Sequence, residues 1–171
     1  MNHYFINVLS DEQYQYVLNK TLYGNEWKLS GYSNANTSEY KFWYMDLNED
    51  NFFTNEFMEI IQFHTHKRFE LLNVYANGQT YGLPGNLHKD YMEPYTPELY
   101  KTFIYYVNPV WEASWNGTTV ILNDDNTADT IFPSKNAGLM FNSNLSHVGN
   151  EPSRYCPEMR VTVAFKLKEI I

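Results

Sequence analysis

Apolar positions recur with a helical period in two early stretches and alternate along short runs through the rest of the chain. Ser10-Asp11-Glu12-Gln13 has the form of a capping box, with Ser10 capping and Gln13 reaching back. Tyr14, Val17, Leu18 and Leu22 then share one helical face, so the spacing predicts a helix over Asp11–Leu22. Trp27–Tyr32 and Tyr40–Leu47 read as strands flanking the loop-like stretch Ser33–Ser38. Asn48-Glu49-Asp50 is a second cap signal. Behind it, Phe53, Phe57, Ile60, Ile61 and His64 form a stripe that predicts a helix ending near Arg68. Past Phe69 the period changes. Glu70–Ala76 alternates weakly before Asn77-Gly78, a turn pair. Lys101–Val107, Thr118–Leu122 (after an Asn116-Gly117 turn), Ile131–Phe132, Gly138–Phe141 and Arg160–Leu167 follow as strand candidates. Short strands with turn signals between them predict an all-β core, a sandwich or jelly roll, with two flanking helices packed on one outer face.

Composition narrows the setting. A chain of 171 residues fits one domain, in which 1–69 forms a helical and strand support region and 70–171 the jelly-roll core. With 43% hydrophobic and 19% charged residues the composition is that of a globular protein. No run approaches the ~18–20 apolar residues of a spanning helix, and the first ten residues lack the basic start and apolar run of a signal peptide. Cys156 stands alone, which excludes an internal disulfide and a multi-Cys zinc site. A reduced, cytoplasmic protein with no membrane role is expected. The net charge of −8, from 12 basic and 20 acidic residues, demotes nucleic acid as a partner.

Candidate chemistry lies with the histidines. His3 falls in a terminus expected to be flexible. His64 and His66 are two apart on a predicted helix and point to different faces, which suits surface or capping roles. His88 differs, because His88-Lys89-Asp90 on a strand would turn an imidazole and a carboxylate to the same side. His147, supplied by another strand, would complete a set of two histidines and one carboxylate, which suits non-haem Fe(II) with open positions. Taken alone, His-x-Asp is more commonly a satisfied surface pair. Arg160 leads the strand Arg160–Lys166, sharing a face with Thr162, Ala164 and Lys166 opposite the apolar Val161, Val163, Phe165 and Leu167. An arginine there fits bidentate capture of a carboxylate, or an ordinary edge-strand ion pair.

Together, His88-x-Asp90, His147 and Arg160 resemble the Fe(II)/2-oxoglutarate-dependent dioxygenases, and within them the prolyl-4-hydroxylase-like branch. The resemblance runs from about Leu71 to Leu167. Val74-Tyr75-Ala-Asn-Gly-Gln-Thr-Tyr81 is similar to the strand and turn before the branch's first iron ligand. Phe103–Asn108, Trp115–Val120 and Ala137-Gly-Leu-Met-Phe141 are similar to its later strands. The resemblance implies a double-stranded β-helix, with His88, Asp90 and His147 as iron ligands and catalytic centre. It also implies 2-oxoglutarate held by Arg160, with Tyr106 and Tyr75 lining its pocket, and O2 and ascorbate as further participants. Thr102, Thr119 and Thr162 are weaker candidates for that pocket, since inward packing explains them as well. Tyr81, Tyr91, Tyr95 and Trp115 are candidates to face the substrate. Tyr91–Tyr100 suits a lid or a rigid exposed loop. Arg160 follows His147 by 13 residues, longer than the usual spacing, which places an inserted loop at Glu151–Glu158. The implied reaction is hydroxylation of an unactivated C–H, with 2-oxoglutarate decarboxylated to succinate and CO2. A prolyl or other residue in a peptide or protein is the first choice of substrate; a free amino acid or small metabolite is the second. Two readings compete. A non-catalytic cupin-like module would use the same metal donors and have no need of Arg160, Tyr106 and Tyr75. A nucleic-acid demethylase would show an Arg-x-Asn-x-Thr-x-Arg strand, of which only Arg160 is present.

Overall fold

Among the described residues ten strands and two α-helices build the fold, and strand alternation decides what each face carries. The structure is a computed structural model that describes residues 2–91 and 96–171. In chain order the elements are β1 (His3–Ile6), α1 (Asp11–Lys20), β2 (Lys28–Gly31), β3 (Phe42–Asp46), α2 (Phe57–Thr65), β4 (Arg68–Gln79), β5 (Tyr100–Tyr106), β6 (Thr119–Leu122), β7 (Ala128–Ile131), β8 (Ala137–Asn142), β9 (His147–Gly149) and β10 (Arg160–Ile170). The larger sheet runs β1-β8-β5-β10-β4-β3-β2 and the smaller β7-β6-β9, with every pairing antiparallel. This is a double-stranded β-helix with both helices on one outer face. No helix among the described residues is long and apolar enough to cross a membrane.

The helices start where their caps dictate. Ser10 and Gln13 form the reciprocal capping box that satisfies two otherwise orphaned backbone donors of α1. Asp50 accepts from the Phe52 amide, and a π-helical turn over Phe52–Glu56 leads into α2, which His66 ends in the left-handed conformation. Tyr14, Val17 and Leu18 of α1 and Phe57, Met58 and Ile61 of α2 are buried in one cluster. That cluster includes the outward residues of the large sheet: Val74 and Ala76, Phe103 and Tyr105, and Val161, Val163, Phe165 and Leu167. At ~25 cal/mol per Å² of apolar surface, burial of this face is the chief favourable term in holding the helices on the sheet.

The opposite face of the large sheet looks toward the small sheet. At its β8 end it is apolar, with Tyr106, Leu139 and Phe141 packed with Ile121 and Leu145. Toward β10 and β4 it turns polar, with Arg160, Thr162 and Lys166 beside Tyr75, Asn77 and Gln79.

Three local expectations are corrected. Asn77-Gly78 is no turn: β4 runs through it, paired with β10 on one side (Asn77 with Thr162) and β3 on the other (Tyr44). Two flanking ladders outweigh the local turn preference, and a side chain at Gly78 would collide with Met159 Sδ at 2.7 Å and crowd Trp43. His3 lies in a strand, because β1 pairs with β8 and seats Phe5 against the core. His88-x-Asp90 is not a continuous strand but an irregular segment making one bridge, to His147.

Candidate metal centre and cosubstrate cavity

His88, Asp90 and His147 converge on one point, with potential ligand atoms all within 4.8 Å of one another. The bridge places them: the His88 amide donates to the His147 carbonyl at 3.0 Å and the His147 amide returns the bond at 2.8 Å. Two residues on, the amides of Asp90 and Tyr91 both donate to the Ser143 carbonyl, which locks the turn carrying the carboxylate.

Backbone carbonyls orient both imidazoles. His88 Nδ1 lies 2.8 Å from Asn86 O and His147 Nδ1 lies 3.0 Å from Leu145 O. A carbonyl only accepts, so Nδ1 carries the hydrogen and Nε2 presents its lone pair inward. The two Nε2 atoms stand 3.4 and 3.3 Å from the Asp90 oxygens. Donors about 2.1 Å from a shared ion, at right angles, lie about 3 Å apart, so the set fits a small divalent cation. Burial pushes the His147 imidazole below its ordinary value against the pull of Asp90, which favours the neutral, ligating form. Burial alone would raise the Asp90 carboxyl. The neighbouring Lys166 ammonium outweighs it and holds the group well below the usual carboxylate range. Thr102 donates its hydroxyl to Asp90 Oδ2 at 2.6 Å and contacts Ser143 Oγ at 2.9 Å. Thr102 thus stands behind the carboxylate and does not line the cavity beside it.

That cavity extends from the metal donors to Arg160. An inner volume of about 60 Å³ is lined by Thr119, Thr162, Ala164, Gln79 and Arg160 among others. It meets an outer volume of about 300 Å³ at Ser33, Phe42, Tyr75, Asn77 and His88. Arg160 is 3% exposed. Its Nε donates to Gly117 O at 2.6 Å, one terminal nitrogen to Gln79 Oε1 at 2.9 Å and the other to Thr119 Oγ1 at 2.9 Å. Gly117 follows Asn116 in a turn where both residues have positive φ, and a side chain there would press on Trp111 and Arg160. No carboxylate among the described residues pairs with this guanidinium, and burial lowers its proton affinity. The Tyr106 hydroxyl donates to Thr119 Oγ1 at 2.9 Å, beneath the guanidinium, and burial pushes it up to about 12. Tyr75 packs at a tilt against Tyr44 and lies under Lys166, with its hydroxyl pushed up by burial.

The remaining candidates lie elsewhere. Tyr81 is exposed with Arg154 over its ring, Tyr91 stacks on Tyr100 at 3.7 Å, and Trp115 packs edge-on against Trp111; none lines either cavity. Tyr95 lies outside the described residues, as do positions 92–94 of the anticipated lid. The Glu151–Glu158 loop is tied down by Pro152 bridging Asn116 and by Ser153 donating to Trp115 O. Sequence reasoning did not single out Gln79, Asn77, Ser143 or Lys166. The polar alternation Tyr75, Asn77, Gln79 would have revealed the first two, had Asn77-Gly78 not read as a turn.

A double-stranded β-helix with two imidazoles and a carboxylate gathered inside it is the arrangement that non-haem iron oxygenases use. The family described as the 2OG-Fe(II) oxygenase superfamily matches residues 71–166, and the chain belongs to that superfamily. It is a 2-oxoglutarate-dependent oxygenase, and its chemistry uses Fe(II), 2-oxoglutarate and O2. Among solved structures it is similar to a prolyl hydroxylase from Trichoplax adhaerens in complex with a peptide fragment of the hypoxia inducible factor oxygen degradation domain (TM-score 0.72, 16% identity, 98% of this chain and 83% of that one). It is also similar to a viral collagen prolyl hydroxylase from Paramecium Bursaria Chlorella virus-1 with 2OG (TM-score 0.63, 14% identity, 99% and 96%). A third similar structure is a non-haem α-ketoglutarate-dependent epimerase from nogalamycin biosynthesis (TM-score 0.68, 12% identity, 97% and 76%). No curated protein sequence matches the chain.

Proposed function

We propose that the chain hydroxylates a prolyl residue in a peptide or protein, with His88, Asp90 and His147 holding Fe(II) and Arg160 anchoring the distal carboxylate of 2-oxoglutarate. The observation that carries this reading is the buried Arg160 guanidinium with no acid beside it, at the far end of a cavity that begins at the His/Asp/His set. A buried, unpaired charge is costly, and an arriving carboxylate relieves that cost. Fe(II) with 2-oxoglutarate and O2 supplies the oxidation when bound. The chain's own residues supply geometry. Asn86 O and Leu145 O fix the imidazole tautomers, Thr102 steadies the Asp90 carboxylate, and Gln79, Thr119 and Gly117 O hold the guanidinium fork in one pose. The Tyr106 hydroxyl stays protonated and serves as a donor on the same side. We assign Thr162 to the wall between the two ends.

The outer cavity supports a peptidyl substrate. Tyr32, Phe42, Tyr44 and Tyr75 line it together with Ser30 and Ser33. Aromatic-lined grooves suit the preformed, extended proline helix. β2 is the outermost strand of its sheet beside that opening, with Lys28, Leu29 and Ser30 exposed, so an extended chain has backbone groups to follow. The support region and the jelly-roll core act as one unit, since one apolar cluster draws on Val8 through Leu167. A reducing, cytoplasmic setting agrees with the free Cys156.

The test is direct. Anaerobic addition of Fe(II) and 2-oxoglutarate to the protein is expected to give a visible charge-transfer band that is absent in Asp90→Ala. In air, proline-containing peptides are expected to gain one oxygen as succinate accumulates. A band without peptide oxidation, with free proline oxidised instead, would move the substrate to a small amino acid. No band and no succinate would sink the assignment.

A further inference from the structure

The Asp90 carboxylate already has a cation. The Lys166 ammonium sits against Asp90 Oδ2, the same oxygen that faces His147 Nε2 and accepts the Thr102 hydroxyl. The Lys166 side chain is only 18% exposed, and its ammonium lies 5.6 Å from the Tyr75 ring centre. It projects from the inward face of β10, where the register with β4 slips between Lys166 and Leu167. The simple reading is a counterion that keeps a buried aspartate content. The charges ask for more. Asp90 is the single carboxylate among the described residues lining the two cavities, and Arg160 and Lys166 are the cations. The cavity by itself therefore carries one net positive charge. A divalent ion entering alone raises that to three, and a dicarboxylate entering with it brings the sum back to one. Charges buried this deeply are poorly screened by salt.

We propose that Lys166 is a built-in substitute for the metal: its ammonium neutralises Asp90 until a divalent ion arrives, opposes that ion when it comes alone, and so couples metal uptake to 2-oxoglutarate. This rests on the reading of His88, Asp90 and His147 as the metal ligands. The same ammonium, displaced from Asp90, stays in the cavity and faces the anion that enters with the metal. Coupling between two ligands is reciprocal, so the residue that weakens metal binding alone also strengthens the response of each ligand to the other. Part of that response comes from chelation of the metal by the keto acid. The share due to Lys166 is the difference between the native protein and a variant lacking the charge.

Mn(II) serves as the probe, its binding read from loss of the free-ion electron paramagnetic resonance signal, with and without 2-oxoglutarate. The native protein is expected to bind Mn(II) about tenfold or more tighter with 2-oxoglutarate present. Lys166→Met is expected to bind Mn(II) alone about tenfold tighter than the native protein and to show a correspondingly smaller gain from 2-oxoglutarate. Lys166→Gln should follow Lys166→Met, and Lys166→Arg should follow the native protein. A merely structural lysine gives the opposite sign, since a disturbed site binds metal more weakly. Equal or weaker Mn(II) binding by both uncharged variants overturns the inference. So does a native affinity that ignores 2-oxoglutarate, a result that depends on no variant. Failure of the native protein to take Mn(II) under either condition overturns the ligand reading itself, and is told apart because no variant then needs comparison.

Discussion

Arg160 is held by three neutral acceptors, the Gly117 carbonyl, the Gln79 amide oxygen and the Thr119 hydroxyl. They fix its planar fork without neutralising it. Lysine in its place would keep the charge and lose the fork and the three fixed bonds. Arg160→Lys is therefore expected to raise the concentration of 2-oxoglutarate needed for half-maximal turnover by about tenfold to a hundredfold, the equivalent of about 1.5–3 kcal/mol for a charged hydrogen bond. The maximal rate should change less. Steady-state kinetics in 2-oxoglutarate decide it, and an unchanged requirement would remove Arg160 from the cosubstrate site. At this scale the grouping of His88, Asp90 and His147 was legible, because His-x-Asp, a later histidine and a strand-leading arginine stand together in the order of the family, though each alone has an ordinary structural reading. Lys166 was not. Alternation puts it on the face of Arg160, but a strand lysine usually carries its ammonium on to solvent, and nothing local announces that this one stops at Asp90. Thr102 was legible as inward-facing, but its partner, twelve positions from it along the chain, was not.

Among the elements, the short connections carry unusual structural weight. Asn136 precedes β8 with φ of 54°, a backbone conformation that asparagine tolerates better than most residues. Its side chain acts as a surrogate strand edge. Oδ1 accepts from the Leu9 amide at 2.9 Å and from the Tyr105 hydroxyl at 2.9 Å, while Nδ2 donates to the Leu9 carbonyl at 2.8 Å. One amide thus ties the link between β1 and α1 to β5 and β8. Asn136→Ala removes all three bonds and leaves buried partners unmet, each worth about 1–3 kcal/mol when unsatisfied. A loss of about 2–4 kcal/mol in urea unfolding is expected; a loss under about 0.5 kcal/mol would show that the link is not held this way. The strands with strong alternation, β10 above all, and the capped helix α1 were legible because period and cap agree there. β1 and the last three residues of β4 were not. Four residues are too few to show a period, and Asn77-Gly78 has a local preference that only two flanking strands could override.

Across the whole molecule, stability and chemistry occupy opposite faces of the large sheet. Val161, Val163, Phe165 and Leu167 hold the helices on one side, while Arg160, Thr162 and Lys166, from the same strand, line the cavity of the proposed site on the other. Such a division should allow stability to be changed from the helix side with little effect on the site. Tyr14 offers the means. It lies on α1, is 5% exposed, and donates its hydroxyl to Val107 O at 2.9 Å, pinning the helix to the end of β5. Burial, with a smaller contribution from Tyr23, pushes its phenol up to about 12. An unfolded tyrosine ionises near 10, so between these values the folded chain holds a proton that the unfolded chain releases. The stability tied to that proton is complete below about pH 10 and is lost as the pH rises to about 12, on the order of 2–3 kcal/mol in all. Tyr14→Phe cannot ionise. It should start about 1 kcal/mol less stable at neutral pH, for want of the hydrogen bond, and then fall less steeply between pH 10 and 12. Tyr106, which titrates in the same range from the other face, leaves a residual slope in both proteins. Urea midpoints measured from pH 8 to 11.5 test the point, since parallel curves for the two proteins would exclude Tyr14 as the source. At neutral pH the variant's metal and 2-oxoglutarate affinities should match those of the native protein. If they moved with the helix, the two faces of the sheet would have to be read as one coupled structure.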